Sequence, residues 1–364
     1  MIAEPEIVER ATLFGDRHFA NGDVTNGFYV DMWTMVPGAG WISGGPGYRR
    51  WSSKDRVFFD TSAAISWNNF KTAQAQVELP RFMRSRLAVG SEVRWQNFPR
   101  LEFFGEGRDT PESDRSKYFL NSTNLLGYAT FRPIRSVALD AQVGWLHADT
   151  RDTMAAGIRS AIPNDQSFVH TTFSATADVR DFPGHPTSGG LYRAAVANYS
   201  DRDSGTFTFR RYEAEGAHFV PFAGSRVVLA LRGWVVSSDV DAGHAVPFYL
   251  LPSLGGHNML RSYADYRFHD RHMALLNAEA RIAMMTHVDA AIFVDAGNVA
   301  EKFSDLNLDK RSYGAGLRLH SRRQTFARVD VANGEEGWRV LFRLTDPLNL
   351  SRLTRRAATV PFVP

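Results

Sequence analysis

Residues 137–145 read VALDAQVGW. Val137, Leu139, Ala141, Val143 and Trp145 alternate with Asp140, Gln142 and Gly144. Successive side chains of a strand point to opposite faces, so this stretch predicts a ribbon with one apolar and one polar side. The period recurs on either side. Phe173, Ala175, Ala177 and Val179 oppose Thr172, Ser174, Thr176, Asp178 and Arg180. Leu276, Ala278, Ala280, Ile282 and Met284 oppose Asn277, Glu279 and Arg281, and Trp338, Val340, Phe342 and Leu344 oppose Arg339 and Arg343.

Counting such segments along the 364 residues gives about sixteen. They fall near 24–36, 41–51, 56–70, 72–83, 86–105, 117–133, 135–149, 167–181, 190–200, 206–222, 225–238, 270–285, 287–301, 311–321, 324–332 and 337–344. The links differ by parity. Long polar loops follow the fifth, seventh, eleventh and thirteenth segments: GEGRDTPESDRS, RDTMAAGIRSAIPNDQ, the stretch from Asp239 to about residue 269, and KFSDLNLDK. Links after even segments are short, with FPGHPTSGG after the eighth of intermediate length. An antiparallel meander puts odd links on one rim and even links on the other, and membrane barrels have long loops outside and short turns inside.

Composition narrows the partners. No run reaches the roughly 18 apolar residues of a spanning helix, which excludes a helical membrane protein and leaves a transmembrane barrel open. The net charge of +3 comes from 42 basic and 39 acidic residues scattered along the chain, so there is no footprint for nucleic acid. Cysteine is absent, which excludes disulfides and thiolate metal sites. The start, MIAEPEIVERATLFGD, lacks the basic and apolar regions of a secretory signal, so an exported protein would be represented here in its mature form.

A soluble sandwich would bury the apolar faces, whereas a lipid barrel turns them outward and lines its lumen with the polar ones. Charges in mid-strand, as at Glu279 and Arg281, suit a lumen. Aromatics placed near strand ends, Trp145 and Trp338, suit interfacial girdles. An even strand number permits the closure that lipid demands of backbone polar groups. The expectation is an all-β transmembrane antiparallel barrel facing outer-membrane lipid. Its divisions are a short periplasmic segment at 1–22, the barrel at 23–345 and a tail at 346–364.

The stretch LGGHNMLRSYADYRFHD, followed by NAEARI, FVDAGNV, YGAGLRL and RVDVA, resembles the bacterial surface antigen family, the outer-membrane assembly-factor (BamA-like) superfamily, over roughly residues 170–345. The resemblance implies that the long loop folds back into the lumen. It also implies that an arginine in its tip motif contacts an aspartate two strands further on. Here the motif is Leu260, Arg261, Ser262 and Tyr263 after Gly255 and Gly256, with Ser262 where the family has glycine. The matching aspartate is Asp295, and parity makes both Asp295 and Glu279 lumenal. A planar guanidinium can grip a carboxylate with two parallel hydrogen bonds, so Arg261 is expected to act as a latch.

DVRDFPGHPTSGGLY, holding Asp178, Arg180, Asp181, Pro186 and Gly189, resembles the family's strand end with its periplasmic turn. Glu335, Gly337, Val340 and Phe342 fit the C-terminal strand signal that the family and its clients imply. Relatives carry periplasmic POTRA modules; the 22 or so residues before the first segment are too few for one, so a barrel without them is expected. Residues 5–15 could form either one short helix or a linker, and the tail a periplasmic segment or a strand-edge cover.

No G-x-S-x-G, H-E-x-x-H or phosphate loop occurs, so no enzyme, cofactor or metal is expected. His269 and His272 lack a matching ligand set, and Asp201 with Asp203 or Asp239 with Asp241 read as loop caps. What the resemblance implies is insertion or translocation of a protein or lipid client at the outer membrane of a Gram-negative-type bacterium. A weak seam would open laterally, hinted at by a short last strand and by Gly27 and PGAG in the first. The alternative is a passive pore with selectivity set by Arg180, Arg232, Glu279 and Arg281. Oligomeric state is left open.

Overall fold

The structure, a computed structural model, describes residues 26–32, 43–52, 56–83, 85–151, 165–321 and 324–344, with Pro5, Val8, Thr12, Val36, Asp346 and Leu348. Expectations for residues 1–22, for most of the loop after the seventh strand and for nearly all of the tail lie outside these residues.

The strands run β1 Gly27–Met32, β2 Ser43–Ser52, β3 Val57–Ser66, β4 Lys71–Phe82, β5 Leu87–Phe103, β6 Ser116–Ile134, β7 Val137–Arg151 and β8 Asp165–Asp178. They continue with β9 Gly189–Asp201, β10 Phe209–Phe222 and β11 Val227–Asp239, then the two-residue pair β12 Ser253–Leu254 and β13 Phe268–His269 inside the long connection. β14 His272–Ala283, β15 Val288–Ala300, β16 Lys310–His320, β17 Thr325–Gly334 and β18 Gly337–Arg343 follow. Apart from β12 and β13, the strands form one sixteen-stranded sheet in chain order, each antiparallel to the next. The sixteen expected segments map onto them one to one. Among the described residues no helix is long and apolar enough to cross a membrane.

The sheet is a barrel turned inside out relative to a soluble protein. Val143, Phe173, Leu276, Ile292, Val294, Leu317 and Val340 face outward and are exposed, while Glu279, Asp295, Arg318 and Asp330 are completely buried. Such a surface is stable only against hydrocarbon, where lipid meets the apolar band. The long connection touches distant walls at once: the Tyr249 hydroxyl donates to Gln166 on β8, and Arg261 reaches Asp295 on β15. Among the described residues no backbone pairing joins β1 to β18, the two ends of the strand order.

Two expectations change. Trp338 opens β18 at the long-loop rim, but Trp145 lies within β7 opposite Leu125 and Val169, away from either strand end, because β7 runs on to Arg151. Nor is the lumenal face polar throughout. Phe98, Phe103, Leu120, Leu146 and Phe168 point inward and are buried, because the long connection packs Phe248, Tyr249, Leu250 and Leu251 against them. There the sheet is apolar on both faces, and alternation alone cannot reveal it.

Candidate functional site in the lumen

The connection from β11 to β14 enters from the long-loop rim and narrows into a hairpin whose base is β12 paired with β13. Gly255 and Gly256 have φ of +122° and +92°, and a Cβ on either would lie within 2.5 Å of the returning arm at Ala264 or Asp265. Only glycine lets the two arms come this close. Arg267 secures the base to other loops, with Nη2 donating to the Thr110 carbonyl at 2.7 Å and Nε to Glu336. Beyond it Met259, Leu260, Tyr263 and Phe268 pack against Trp234, Met273, Leu275 and Val299 on the wall.

The tip places Arg261 over a concentration of charge. Its Nε and Nη2 donate to Asp295 Oδ2 and Oδ1 at 3.0 and 2.8 Å, the parallel fork that suits a carboxylate. Its Nη1 donates to Glu279 Oε2 at 2.7 Å, and its backbone N–H donates to Asp295 Oδ2 at 3.2 Å. The guanidinium also lies over the Phe293 ring, 3.3 Å from its centroid. Asn277 binds Asp295 and the Met259 carbonyl, each at 2.8 Å, so wall and hairpin share a bridging amide.

The network extends past the pair foreseen in the sequence. Arg318 binds Glu279 at 2.9 Å and Asp330 at 2.6 Å, Arg328 binds Asp330 at 2.9 Å, and Arg281 binds Glu279 at 3.0 Å and Asp346 at 2.9 Å. The guanidiniums of Arg261, Arg281, Arg318 and Arg328 therefore meet the carboxylates of Glu279, Asp295, Asp330 and Asp346, and the charges balance. Arg328 and Arg232 each donate to the descending arm, at the His257 and Asn258 carbonyls respectively, both at 2.7 Å. Parity could have found Arg318 and Asp330, since Leu317, Val329 and Val331 face outward beside them. Asp346 lies beyond the last strand and had no such signal; with Leu348, buried against Leu191, Phe219 and Ala230, it enters the lumen from the short-turn rim.

Ser262, where the sequence resemblance implies a glycine, has no positive φ. Its hydroxyl lies 2.6 Å from Ser312 Oγ and its N–H donates to the same atom at 3.0 Å. Space comes from Gly334, cross-strand partner of Ser312, where a Cβ would stand 2.2 Å from the Ser262 hydroxyl. The missing glycine at the tip is matched by one on the wall.

The turn after β8 is a separate construction. Asp178 pairs with Arg180 at 2.7 and 2.8 Å, and Arg180 also donates to the Pro183 carbonyl. Asp181 accepts the N–H groups of Phe182, Thr187 and Ser188 and the Thr187 hydroxyl. Burial raises its carboxyl, but these hydrogen bonds outweigh it and hold Asp181 below the usual carboxylate range. Gly189 at φ +83° passes so close to the Val179 carbonyl that no Cβ fits, and Pro186 is buried beneath the turn. Gly337 at φ +92° starts β18, from which Val340 and Phe342 project outward. His269 is buried beside Phe103 and Tyr266, and His272 contacts Ser237 and Phe303, so the two do not share a ligand site. Asp201 caps its loop through the N–H groups of Asp203, Ser204 and Phe207.

Fold and lumen together define a sixteen-stranded transmembrane barrel with a returning hairpin locked to its wall. A family model described as the Omp85 superfamily domain matches residues 61–334, and the chain belongs to that superfamily. The match begins well before the residue near 170 at which the sequence resemblance begins. No curated protein matches the chain. Among solved structures, BamA from Haemophilus ducreyi lacking POTRA domains 1-3 is similar with a TM-score of 0.70 at 14% identity, over 92% of this chain and 76% of that one. CdiB from Acinetobacter baumannii gives 0.54 at 11% identity, over 87% and 65%. CdiB from Escherichia coli gives 0.55 at 13% identity, over 87% and 61%. At these identities the likeness is one of fold.

Proposed function

We propose that the protein inserts or translocates a protein or lipid client at the outer membrane of a Gram-negative-type bacterium, without catalysing a chemical step. In this reading the short turns face the periplasm, residues 23–345 form the working barrel, and Arg261 latches the hairpin that fills it. The observation that carries the proposal is the contrast between a filled lumen and a seam that is unpaired among the described residues. Among the described residues β1 and β18, at 6 and 7 residues, are the shortest strands of the sheet, and they stand at the two ends of its order. An open edge in lipid leaves backbone groups unsatisfied, so it must either pair with its counterpart or accept another strand. A client strand can then enter the sheet through that gate.

The absence of native cysteine makes the test clean. Cysteine pairs placed at Phe28 or Val30 on β1 and at Val340 or Phe342 on β18 are oxidised to close the seam. Folding of a urea-denatured outer-membrane barrel into liposomes holding the protein is then followed. A gate predicts acceleration by the reduced protein, loss on oxidation and recovery with reductant. Equal acceleration in both states contradicts it. A passive pore predicts a steady open conductance in planar bilayers from the native chain, whereas a filled lumen predicts none. The hairpin contacts favour the second outcome, since Arg232, Glu279 and Arg281 are all engaged in ion pairs inside the bore.

A further inference from the structure

Three side chains unconnected with the hairpin meet at the short-turn rim. His185 comes from the turn after β8, Asp289 is the second residue of β15, and His320 is the last residue of β16. His185 Nε2 lies 3.2 Å from Asp289 Oδ2, and His320 Nε2 lies 3.2 Å from Asp289 Oδ1. The imidazoles stack with centroids 3.6 Å apart and planes 8° from parallel. The three candidate donor atoms all lie within 4.8 Å of one another.

As a set of protein groups alone the arrangement is frustrated. The single Asp289 carboxylate faces both rings, and two positively charged rings stacked at this distance would repel each other. His320 is worse placed: both its ring nitrogens are buried and, among the described residues, neither makes a hydrogen bond, although Nε2 is near the carboxylate. The neighbouring positive charge of Arg281 is already taken up by Glu279 and Asp346.

We propose that His185, Asp289 and His320 form a binding site for a divalent transition-metal ion of the zinc class. A tetrahedral ion with nitrogen and oxygen ligands at about 2.0–2.2 Å holds its donor atoms roughly 3.3 Å apart, which is the spacing already present between each imidazole and the carboxylate. Two imidazoles select such an ion over calcium or magnesium, which prefer oxygen. The stack becomes favourable because both rings bind as neutral donors, and a water completes the fourth position. Thr325 Oγ1, 3.5 Å from His185 Nδ1, stands where the outer nitrogen of a ligating histidine needs a partner. The ion would tie the turn after β8 to β15 and β16, with β10, β11 and β14 lying between β9 and β15 in the sheet. It would brace the short-turn mouth of the barrel from within.

The test uses the full chain folded in detergent, purified through a tag without histidine and titrated with Co2+ followed by Zn2+. One equivalent of Co2+ should bind with the intense visible bands of a four-coordinate ion, and Zn2+ should displace it. His320→Gln and Asp289→Asn should each weaken binding by more than the about 10–100-fold that losing a supporting hydrogen bond costs. His244→Gln, at an exposed loop position, should leave it unchanged. Heat-modifiable mobility on gels verifies that each variant is folded, and the wild-type titration stands without any variant. Absence of saturable four-coordinate binding in the wild type, or affinity unchanged in folded His320→Gln, overturns the proposal.

Discussion

The two halves of the lumen are filled by the same connection in different ways. On the β5 to β10 side, Phe248, Tyr249, Leu250 and Leu251 sit in a dry cluster with Phe98, Phe103, Tyr118 and Phe168. On the β14 to β17 side, the tip is held by Arg261 among Asp295, Glu279 and Phe293. Apolar burial is non-directional and scales with area, so the first half supplies adhesion and tolerates small shifts. A buried ion network gains little net stability over an apolar filling but strongly penalises any displaced partner. The second half therefore fixes where the tip sits.

The largest effect expected is from Arg261→Ala, which strands Asp295 and takes one partner from Glu279. It should cost about 3–5 kcal/mol and expose the tip to protease, read by urea unfolding in detergent and by cleavage between residues 255 and 267. Leu250→Ala in the dry half should cost about 3 kcal/mol while leaving the tip protected; tip exposure there as well would erase the distinction between the halves. Asp181→Asn sharpens the comparison from outside the lumen, because it loosens a turn and neither half. A loss of about 1–2 kcal/mol is expected at neutral pH. The sign follows from linkage. The folded-state pKa of Asp181 is depressed, so its stabilisation is present above the unfolded value of about 3.9 and is lost as pH falls through the folded value. Wild type and Asp181→Asn should converge in acid, and a gap that persists below the folded pKa would contradict the assignment.

Much of this is legible in the sequence. Strict alternation located sixteen strands, and the unequal links sorted their connections onto two rims, because both depend on local chain geometry. Parity put Asp295 and Glu279 inside and the loop motif singled out Arg261; the three lie within hydrogen-bonding distance. The dry cluster was invisible, since around residues 145–148, Trp-Leu-His-Ala, both faces carry apolar groups and period two loses its contrast. Ser262 read only as a departure from the glycine that the resemblance implies, because Gly334, which makes room for it, lies on another strand. The His185, Asp289 and His320 cluster joins residues too far apart in the chain for any spacing rule to find. Local pattern determines which face a residue occupies, while partners across the bore are set by how the sheet curls and where the long connection enters it.

A double-mutant cycle on Arg261→Ala and Asp295→Ala, measured as unfolding free energy in detergent, bears most directly on the latch. Two residues gripping each other predict that the double variant is little less stable than Arg261→Ala alone, leaving a coupling energy of more than about 1 kcal/mol. Losses that simply add would mean that the guanidinium does not hold that carboxylate, and that the tip is positioned by something else.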